Sequence, residues 1–271
     1  REPHRDRRRQ PGSAFDPAVS DTAAMSAVEP IAFDEDHRER MADRLAAHDR
    51  LSLPLDGRRH AAVAIVVLDS TVGADADDPY QFSDQEMTVI PGYTGGLDGR
   101  MAGVAGGASF VLCRRSAGLN THASQWALPG GRLDDGETVV DAALRETWEE
   151  VGVELAPDAV LGLLDDYATR SGYVMTPVVV WGGADVELAP NPDEVLATYR
   201  IGLHELARPD SPRFVDIPES DRPVVQVPLG GDLVHAPTGA VVVNFRWVCV
   251  DGRSSDEARV VDFEQPVFAW G

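Results

Sequence analysis

The stretch from Trp126 to Val153 carries the residues whose types and spacing are best suited to chemistry. Within it, Glu146, Glu149 and Glu150 stand at positions i, i+3 and i+4. On a helix, three carboxylates with this spacing share one face and repel each other by roughly a few tenths of a kcal/mol per pair. A divalent cation reverses that repulsion, and oxygen ligands of this kind suit Mg²⁺ or Mn²⁺. The spacing predicts a site for one of these ions, with a solvated acidic helix face as the alternative.

The helix that would carry these carboxylates has recognisable ends. The turn-forming segment GGRLDDG, residues 130–136, precedes it, and Gly152 is suited to its C-terminus. Four apolar residues recur at helical spacing and predict a stripe that packs against the rest of the protein, namely Val140, Leu144, Trp148 and Val151.

The whole stretch resembles the Nudix box, G-x5-E-x7-R-E-U-x-E-E-x-G-U, in which U is usually a bulky apolar residue. The matching residues are Gly131, Glu137, Arg145, Glu146, Glu149, Glu150, Gly152 and Val153. Thr147 occupies the first U position and is the one departure from the pattern. The resemblance implies an α/β fold, a Nudix-type α/β/α sandwich with a mixed β-sheet. It also implies metal-dependent hydrolysis of a nucleoside diphosphate linked to another group.

The same resemblance implies roles for individual residues. Glu149 and Glu150 would bind the metal ion, and Glu146 would be a further ligand or the general base. The ligand set would also include the backbone carbonyl of Gly130. Arg145 would orient the carboxylates through charge-assisted hydrogen bonds, with Glu137 as its partner or as a ligand through water. Glu194 is a second candidate for the general base.

Composition narrows the classes of function. The chain of 271 residues has a formal net charge of -21, which argues against a general nucleic-acid or membrane-surface binder. It contains no lysine, which excludes a Walker A lysine, a kinase lysine and Schiff-base chemistry. An acidic protein that acts on a phosphate substrate needs a metal ion and local arginines to overcome repulsion.

The distribution of polar and apolar segments along the chain predicts its domain organisation and cellular location. Residues 1–30 are predicted to be a disordered tail, with Met25 as a candidate natural start, and residues 31–271 a single domain. Cys113 and Cys249 lie in apolar runs and are expected to be buried thiols. Without a signal-peptide pattern or a long hydrophobic run, the expected location is cytoplasmic.

The segment before the box bears on the substrate. CRRSAGLNTHASQWALPGG resembles the corresponding segment of coenzyme A pyrophosphatases, although Asn120 and Ser124 replace an arginine and a glycine of that pattern. The leading hypothesis is hydrolysis of coenzyme A or acyl-coenzyme A to phosphopantetheine and adenosine 3',5'-bisphosphate. ADP-ribose, NADH or another nucleotide is the alternative substrate, and a catalytically silent Nudix-fold sensor the alternative class. A homodimer is left open. The candidate substrate-binding residues are Arg114, Arg115, His122 and Arg170.

Beyond the box, the pattern predicts strands interleaved with few helices. An amphipathic helix is predicted for Asp34 to His48, and a Gly-rich insertion, in which a short strand at Met87 to Ile90 is allowed, for about 69–107. A turn or short helix is predicted at 191–194, and a Pro-rich loop from about 203 to 233. Strands are predicted at 61–68, 109–114, 159–167, 173–181, 199–202, 240–250 and 259–263.

Overall fold

The computed structural model of this chain describes residues 29–74, 78, 97–101, 104–116 and 125–267. The predicted tail at 1–30, apart from its last two residues, and the short strand at 87–90 lie outside this description. The predicted insertion at 69–107 is described only in part. No helix in the described ranges is long and apolar enough to cross a membrane.

The described residues form four α-helices and eleven strands. The helices are α1 (Glu35–Ala47), α2 (Val139–Val151), α3 (Leu203–Leu206) and α4 (Thr238–Phe245). The first eight strands are β1 (Arg59–Ser70), β2 (Gly107–Arg115), β3 (Trp126–Ala127), β4 (Gly130–Arg132), β5 (Val160–Leu163), β6 (Tyr167–Ala168), β7 (Tyr173–Gly183) and β8 (Val195–Gly202). The last three strands are β9 (Arg213–Ile217), β10 (Ser220–Leu229) and β11 (Asp232–His235).

Strand β1 is at the centre of a mixed eight-stranded sheet. It pairs in parallel with β7 and antiparallel with β2 and β4. The strand order is β3-β2-β1-β7-β5, and β4, β6 and β8 pair with β1, β7 and β2 respectively. The predicted strands at 61–68, 109–114 and 173–181 are therefore confirmed. The predicted edge strand at 199–202 is the end of the longer β8.

The sheet separates two apolar cores because successive side chains of a strand point to opposite faces. On one face, Ala62 and Ala64 of β1 pack against Ala142 and Ala143 of α2. The other face is covered by helices α1 and α4 together with strands β10 and β11. Helix α1 contributes Met41 and Leu45 to this second core, as the amphipathic pattern predicts. The α/β fold class with a mixed sheet between helical layers is confirmed.

The predicted Pro-rich loop from 203 to 233 is wrong. Strands β9, β10 and β11 form a separate antiparallel three-stranded sheet in this region. Pro228 lies within β10 and is opposite Leu233 of β11. The prolines of this segment argue for a loop because proline cannot donate to a sheet ladder. Burial of Val225, Val227 and Leu229 against the second core outweighs that preference.

The predicted strands at 240–250 and 259–263 are also wrong. Residues 238–245 form α4, and a π-helical turn over Arg246–Val250 continues it. Every residue of α4 is buried, so the helix has no polar face that would reveal its period. A short apolar run of this kind cannot be assigned to strand or helix by periodicity. Residues 259–263 form no strand, and an isolated bridge joins Val224 to Glu264, one residue beyond the predicted segment.

Candidate active site

Helix α2, which carries the three box glutamates, is fixed at both ends. At its start, the Thr138 hydroxyl accepts a hydrogen bond from the backbone N of Asp141 at 3.2 Å, and Asp141 binds back to the Thr138 backbone N at 3.1 Å. This reciprocal capping box is visible in the sequence as T-x-x-D but was not part of the prediction. At its end, Gly152 adopts a left-handed conformation with φ of 72°. The helix therefore begins and ends where its sequence dictates.

The buried face of α2 includes three residues of the predicted stripe but not Trp148. Leu144 and Val151 are buried, and Val140 packs against the same core. Ala142, Ala143, Thr147 and Val151 are buried, whereas the side of the helix that carries Trp148 faces solvent, and Trp148 is 57% exposed. The Thr147 hydroxyl donates a hydrogen bond to the Ala143 carbonyl at 2.7 Å, so its polar group is satisfied inside the helix. A threonine at the first U position is thereby accommodated in the core.

Two glycines of β4 allow the sheet to approach the helix closely. A Cβ atom on Gly131 would lie 2.6 Å from Cδ of Glu146. A Cβ atom on Gly130 would lie 2.6 Å from Cα of Val63 in β1. The backbone N–H of Gly130 donates a hydrogen bond to Oε2 of Glu150 at 3.1 Å. Glycine is required at both positions because any side chain would occupy space that the carboxylate or the neighbouring strand uses.

Arg145 connects the acidic residues of the box. Its Nε donates to Oε1 of Glu137 at 2.7 Å and its Nη2 to Oε2 at 3.0 Å, a bidentate pair. Its Nη1 donates to Glu146 and to Glu149, each at 2.9 Å. Nη2 also reaches the backbone carbonyl of Arg132 at 3.2 Å. The hydrogen bonds from Arg145 hold the pKa of Glu137 below its ordinary value. Arg145 thus contacts Glu137, Glu146 and Glu149, and its orienting role stays a prediction.

Glu150 is the buried member of the three glutamates. Burial, the largest cause, raises its pKa to about 7. The hydrogen bond from Gly130 and the charge of Arg115 oppose that rise, while the charges of Glu146 and Glu194 add to it. Glu150 is therefore poised between its protonated and charged forms near neutral pH.

The half-buried Glu146 has a similar environment. Burial is again the largest cause that raises its pKa, and the hydrogen bond and charge of Arg145 oppose it. The negative charges of Glu149 and Glu194 raise it further. Repulsion among carboxylates in a partly desolvated place favours a cation between them.

Glu194 and Arg115 reach this site from outside the box. A turn over 192–194 precedes β8, as predicted, and the backbone N of Asn191 donates to the carbonyl of Glu150 at 2.9 Å. The backbone N of Ser116, next to Arg115, donates to the carbonyl of Glu194 at 2.9 Å. The structure thus brings both residues to the C-terminal half of α2.

Two of the predicted phosphate contacts have other partners. Arg114 is buried, with a side chain 1% exposed, and its guanidinium lies 4.2 Å over the Trp126 ring. Arg170 forms a bidentate ion pair with Glu264, which is fully buried. The prediction that Arg114 contacts phosphate is wrong because its guanidinium is enclosed in the protein. Arg170 is engaged in holding the C-terminal segment. His122 lies outside the described residues.

The donor set fits a hard divalent cation. Glu146, Glu149 and Glu150 offer carboxylate oxygens, the ligand type that Mg²⁺ and Mn²⁺ prefer. In the described ranges, no three Asp, Glu, His or Cys side chains converge closely enough to hold an ion in their present positions. Two of the glutamates are instead bound to Arg145. The chemistry fits, and the rotamers of these glutamates must change for an ion to bind.

Comparison with known proteins agrees with the Nudix resemblance. Residues 101–219 match the model of the NUDIX domain. A relative from Yersinia pestis (strain Pestoides F), named uncharacterized Nudix hydrolase NudL, is 39% identical over 98 residues, which are 36% of this chain and 49% of the relative. The same protein of Yersinia pseudotuberculosis serotype O:1b has the same identity and coverage. The chain spans about half the length of these relatives.

Solved structures are similar at a lower level. A MutT/nudix family protein from Enterococcus faecalis is 16% identical, with a TM-score of 0.45 over 85% of this chain and 80% of that chain. An Ap4A hydrolase binary complex from C. elegans is also 16% identical, with a TM-score of 0.34 over 56% of this chain and 86% of that chain.

Proposed function

We propose that this chain, which carries a NUDIX domain over residues 101–219, hydrolyses the pyrophosphate bond of a nucleoside diphosphate derivative with Mg²⁺ or Mn²⁺ as cofactor. The observation that carries the proposal is the arrangement around Glu150. This carboxylate is buried, receives the Gly130 N–H at 3.1 Å and lies within the fields of Glu146 and Glu194. Burial of a carboxylate near other carboxylates costs free energy through desolvation and repulsion, and such an arrangement is typical of a functional site.

Glu146, Glu149 and Glu150 would hold the cation, together with the carbonyl of Gly130. A bound divalent cation neutralises the phosphate charge, polarises the phosphorus centre and lowers the pKa of a bound water. In the described structure, Arg145 donates to Glu146 and Glu149 with a single Nη1 group. Cation binding would replace these two hydrogen bonds with bonds from the carboxylates to the cation. The bidentate pair with Glu137 would keep Arg145 in place.

The general base would be Glu146 or Glu194. Both are half-buried, and the charge of each acts on Glu150. Glu194 belongs to the turn before β8 rather than to α2, so it can remain a base while the helix carboxylates bind the cation. Its backbone is fixed by the hydrogen bond between Ser116 and the Glu194 carbonyl.

Arg115 is the strongest candidate among the predicted phosphate contacts. It lies at the end of β2 and its charge lowers the pKa of Glu150, so its guanidinium acts on the carboxylate site. The Nε of Arg115 is buried and has no hydrogen-bond partner among the described residues. A guanidinium in this position can bind phosphate oxygens.

The substrate proposed within this class is coenzyme A or acyl-coenzyme A, cleaved to phosphopantetheine and adenosine 3',5'-bisphosphate. The support is the segment before the box, whose matching residues Gln125, Leu128, Pro129, Gly130 and Gly131 lie in the described part of the chain. ADP-ribose, NADH and other nucleotides are the competing substrates, because Asn120 and Ser124 depart from the coenzyme A pyrophosphatase pattern.

The test is a substrate panel with Mg²⁺ or Mn²⁺, containing coenzyme A, acetyl-coenzyme A, ADP-ribose, NADH and 8-oxo-dGTP, with products identified by mass. The proposal expects the highest kcat/KM for a coenzyme A compound and phosphopantetheine or its acyl form as a product. Preference for another compound would contradict the proposed substrate but not the proposed pyrophosphate hydrolysis. No hydrolysis of any compound by a protein that binds Mn²⁺ would contradict the reaction and favour the sensor class.

A further inference from the structure

A cluster of three buried side chains and one half-buried tryptophan joins parts of the chain that are far apart in sequence. We define it by its members Asp78, Arg114, Trp126 and Asp232 and call it the Arg114 cluster. Nη2 of Arg114 lies 3.7 Å from Oδ2 of Asp78 and 4.0 Å from Oδ2 of Asp232. The same nitrogen donates a hydrogen bond to the carbonyl of Gly99 at 2.8 Å. A guanidinium removed from water needs partners of this kind, because an uncompensated buried charge is strongly destabilising.

The cluster fixes Trp126 on several sides. The Arg114 guanidinium lies 4.2 Å from the centre of its ring. Its Nε1–H donates to Oδ2 of Asp232 at 2.7 Å, and its carbonyl accepts from the Thr238 hydroxyl at 3.0 Å. The edge of its ring meets the ring of Tyr199, with centroids 5.4 Å apart. An indole whose N–H, ring face and carbonyl are all engaged is held in one orientation.

Asp78 is equally well fixed, which makes the cluster rigid. Its Oδ2 accepts the backbone N–H of Met101 at 2.7 Å and its Oδ1 accepts the Tyr199 hydroxyl at 2.9 Å. Asp78 is 2% exposed. Two parts of the chain beyond the box therefore contribute carboxylates to Arg114, the insertion through Asp78 and the second sheet through Asp232.

Trp126 is connected to the carboxylate site by a short segment of backbone. Gly130, four residues after Trp126, donates its N–H to Glu150. Between them, Leu128 is 4% exposed, and the carbonyl of Pro129 accepts a backbone N–H of β1 at 2.7 Å. Four residues span at most about 14 Å, and these are anchored at each end. A displacement of Trp126 would thus be transmitted to Gly130 rather than absorbed by a loop.

We propose that the Arg114 cluster is a positioning device for the carboxylate site. By holding Trp126, it sets where Gly130 presents its N–H to Glu150 and where Gly131 leaves room for Glu146. Arg114, Trp126 and Asp232 act through the backbone of 126–131 and touch neither cation nor substrate. The inference rests on the proposed function, since the carboxylates it positions are the proposed cation ligands.

The test compares W126A and D232A with W126F, which keeps an aromatic ring beneath Arg114. For each variant, electron paramagnetic resonance measures Mn²⁺ affinity and circular dichroism measures thermal unfolding. Steady-state kinetics on the best substrate give kcat and KM. W126A and D232A are expected to lower kcat about tenfold or more, since a misplacement of about 1 Å can cost about 100-fold. They should also weaken Mn²⁺ binding several-fold, with KM nearly unchanged. W126F is expected to recover most of the loss.

D251A is the matched control for D232A, because Asp251 also pairs with an arginine, Arg246, at 3.2 Å but lies on the surface. It should keep wild-type Mn²⁺ affinity and kcat. If D232A does not fold, D232N replaces it. D232N retains an acceptor for the indole and loses the charge that faces Arg114, so a smaller loss in the same direction is expected. Folded W126A and D232A proteins with wild-type Mn²⁺ affinity would overturn the positioning role. Mn²⁺ affinity decides this point even if no pyrophosphate substrate is cleaved, which would overturn the proposed function alone.

Discussion

The backbone N–H of Gly130 donates a hydrogen bond to Oε2 of Glu150 at 3.1 Å, and this contact joins the sheet to the acidic helix. It gives the buried carboxylate one partner in a place where burial raises its pKa to about 7. The adjacent Gly131 leaves the space that the Glu146 carboxylate occupies. The two successive glycines therefore have different tasks: Gly130 supplies a donor to Glu150 and packs against the backbone of β1, whereas Gly131 supplies space for Glu146.

Alanine substitutions should separate these two tasks. In G131A the new methyl group meets the flexible end of Glu146, so we expect little change in stability and a loss of Mn²⁺ affinity of about tenfold. In G130A the methyl group meets the backbone of β1 at Val63, which should cost about 2 kcal/mol or more of unfolding free energy. Denaturant unfolding and Mn²⁺ titration of the two proteins measure both quantities. The opposite ranking, with G131A the less stable protein, would contradict the assigned contacts.

The raised pKa of Glu150 predicts how stability depends on pH without added metal. Its pKa of about 7 lies above the ordinary value of 4.5 for glutamate, so the folded protein binds more protons than the unfolded chain between these values. Stability from this group should therefore fall as pH rises from about 4.5 to 7, by about 3 kcal/mol in total. E150Q should remove this part of the pH dependence, whereas E154Q, at an exposed position just after the helix, should leave it.

The raised pKa of Glu150 predicts the opposite pH dependence for cation affinity. Because a carboxylate must lose its proton to bind a metal ion, Mn²⁺ affinity should increase with pH up to about pH 7 and then level off. Isothermal titration at several pH values, with proton release measured in buffers of different ionisation enthalpy, checks this. A pH-independent Mn²⁺ affinity between pH 5 and 8 would show that Glu150 is not a ligand.

Glu264 predicts a contribution of the C-terminal segment to stability. Although burial opposes it, hydrogen bonds from Arg170 and Arg222 hold the pKa of Glu264 at about 2. Both arginine side chains are more than a third exposed, so solvent weakens these pairs, and we expect E264Q to cost about 2 kcal/mol. Since the folded pKa is lowered, the cost should be present above about pH 4.5 and vanish as pH falls towards 2.

Chemical unfolding of E264Q across this pH range measures the effect. D262N changes an exposed carboxylate two residues away and is the control, with an expected cost near zero. An E264Q protein as stable as D262N at pH 7 would show that the paired arginines contribute nothing through Glu264.

The sequence predicts the box helix and the central strands well, because their information is local. Glycines, caps and glutamates of α2 lie within 30 residues of one another, and β1 is an uninterrupted apolar run. The prediction that Trp148 is buried is wrong, because its helical spacing with Leu144 and Val151 does not show how closely α2 approaches the sheet. The sheet instead selects small residues, Ala142 and Ala143, which allow α2 to approach Ala62 and Ala64 closely.

The remaining errors concern contacts that no local pattern contains. Arg114 has the same immediate neighbours as a surface arginine would, and its partners Asp78 and Asp232 are 36 and 118 positions away. Helix α4 is buried on all sides, so its period cannot be read from the sequence. Glu194 was found as an outside candidate, but its closeness to Glu150 depends on the pairing of β8 with β2.

The most direct measurement of the central account is pyrophosphate hydrolysis by the wild type and by the E149Q and E150Q variants in the presence of Mg²⁺, with products identified by mass. Removal of either carboxylate should lower kcat about 100-fold or more while the protein stays folded, and E154Q should match the wild type. Chelation of the metal should abolish wild-type turnover. Full activity of a protein that carries both substitutions would contradict the assignment of Glu149 and Glu150 as metal ligands. Full activity without a divalent cation would contradict a metal-dependent reaction.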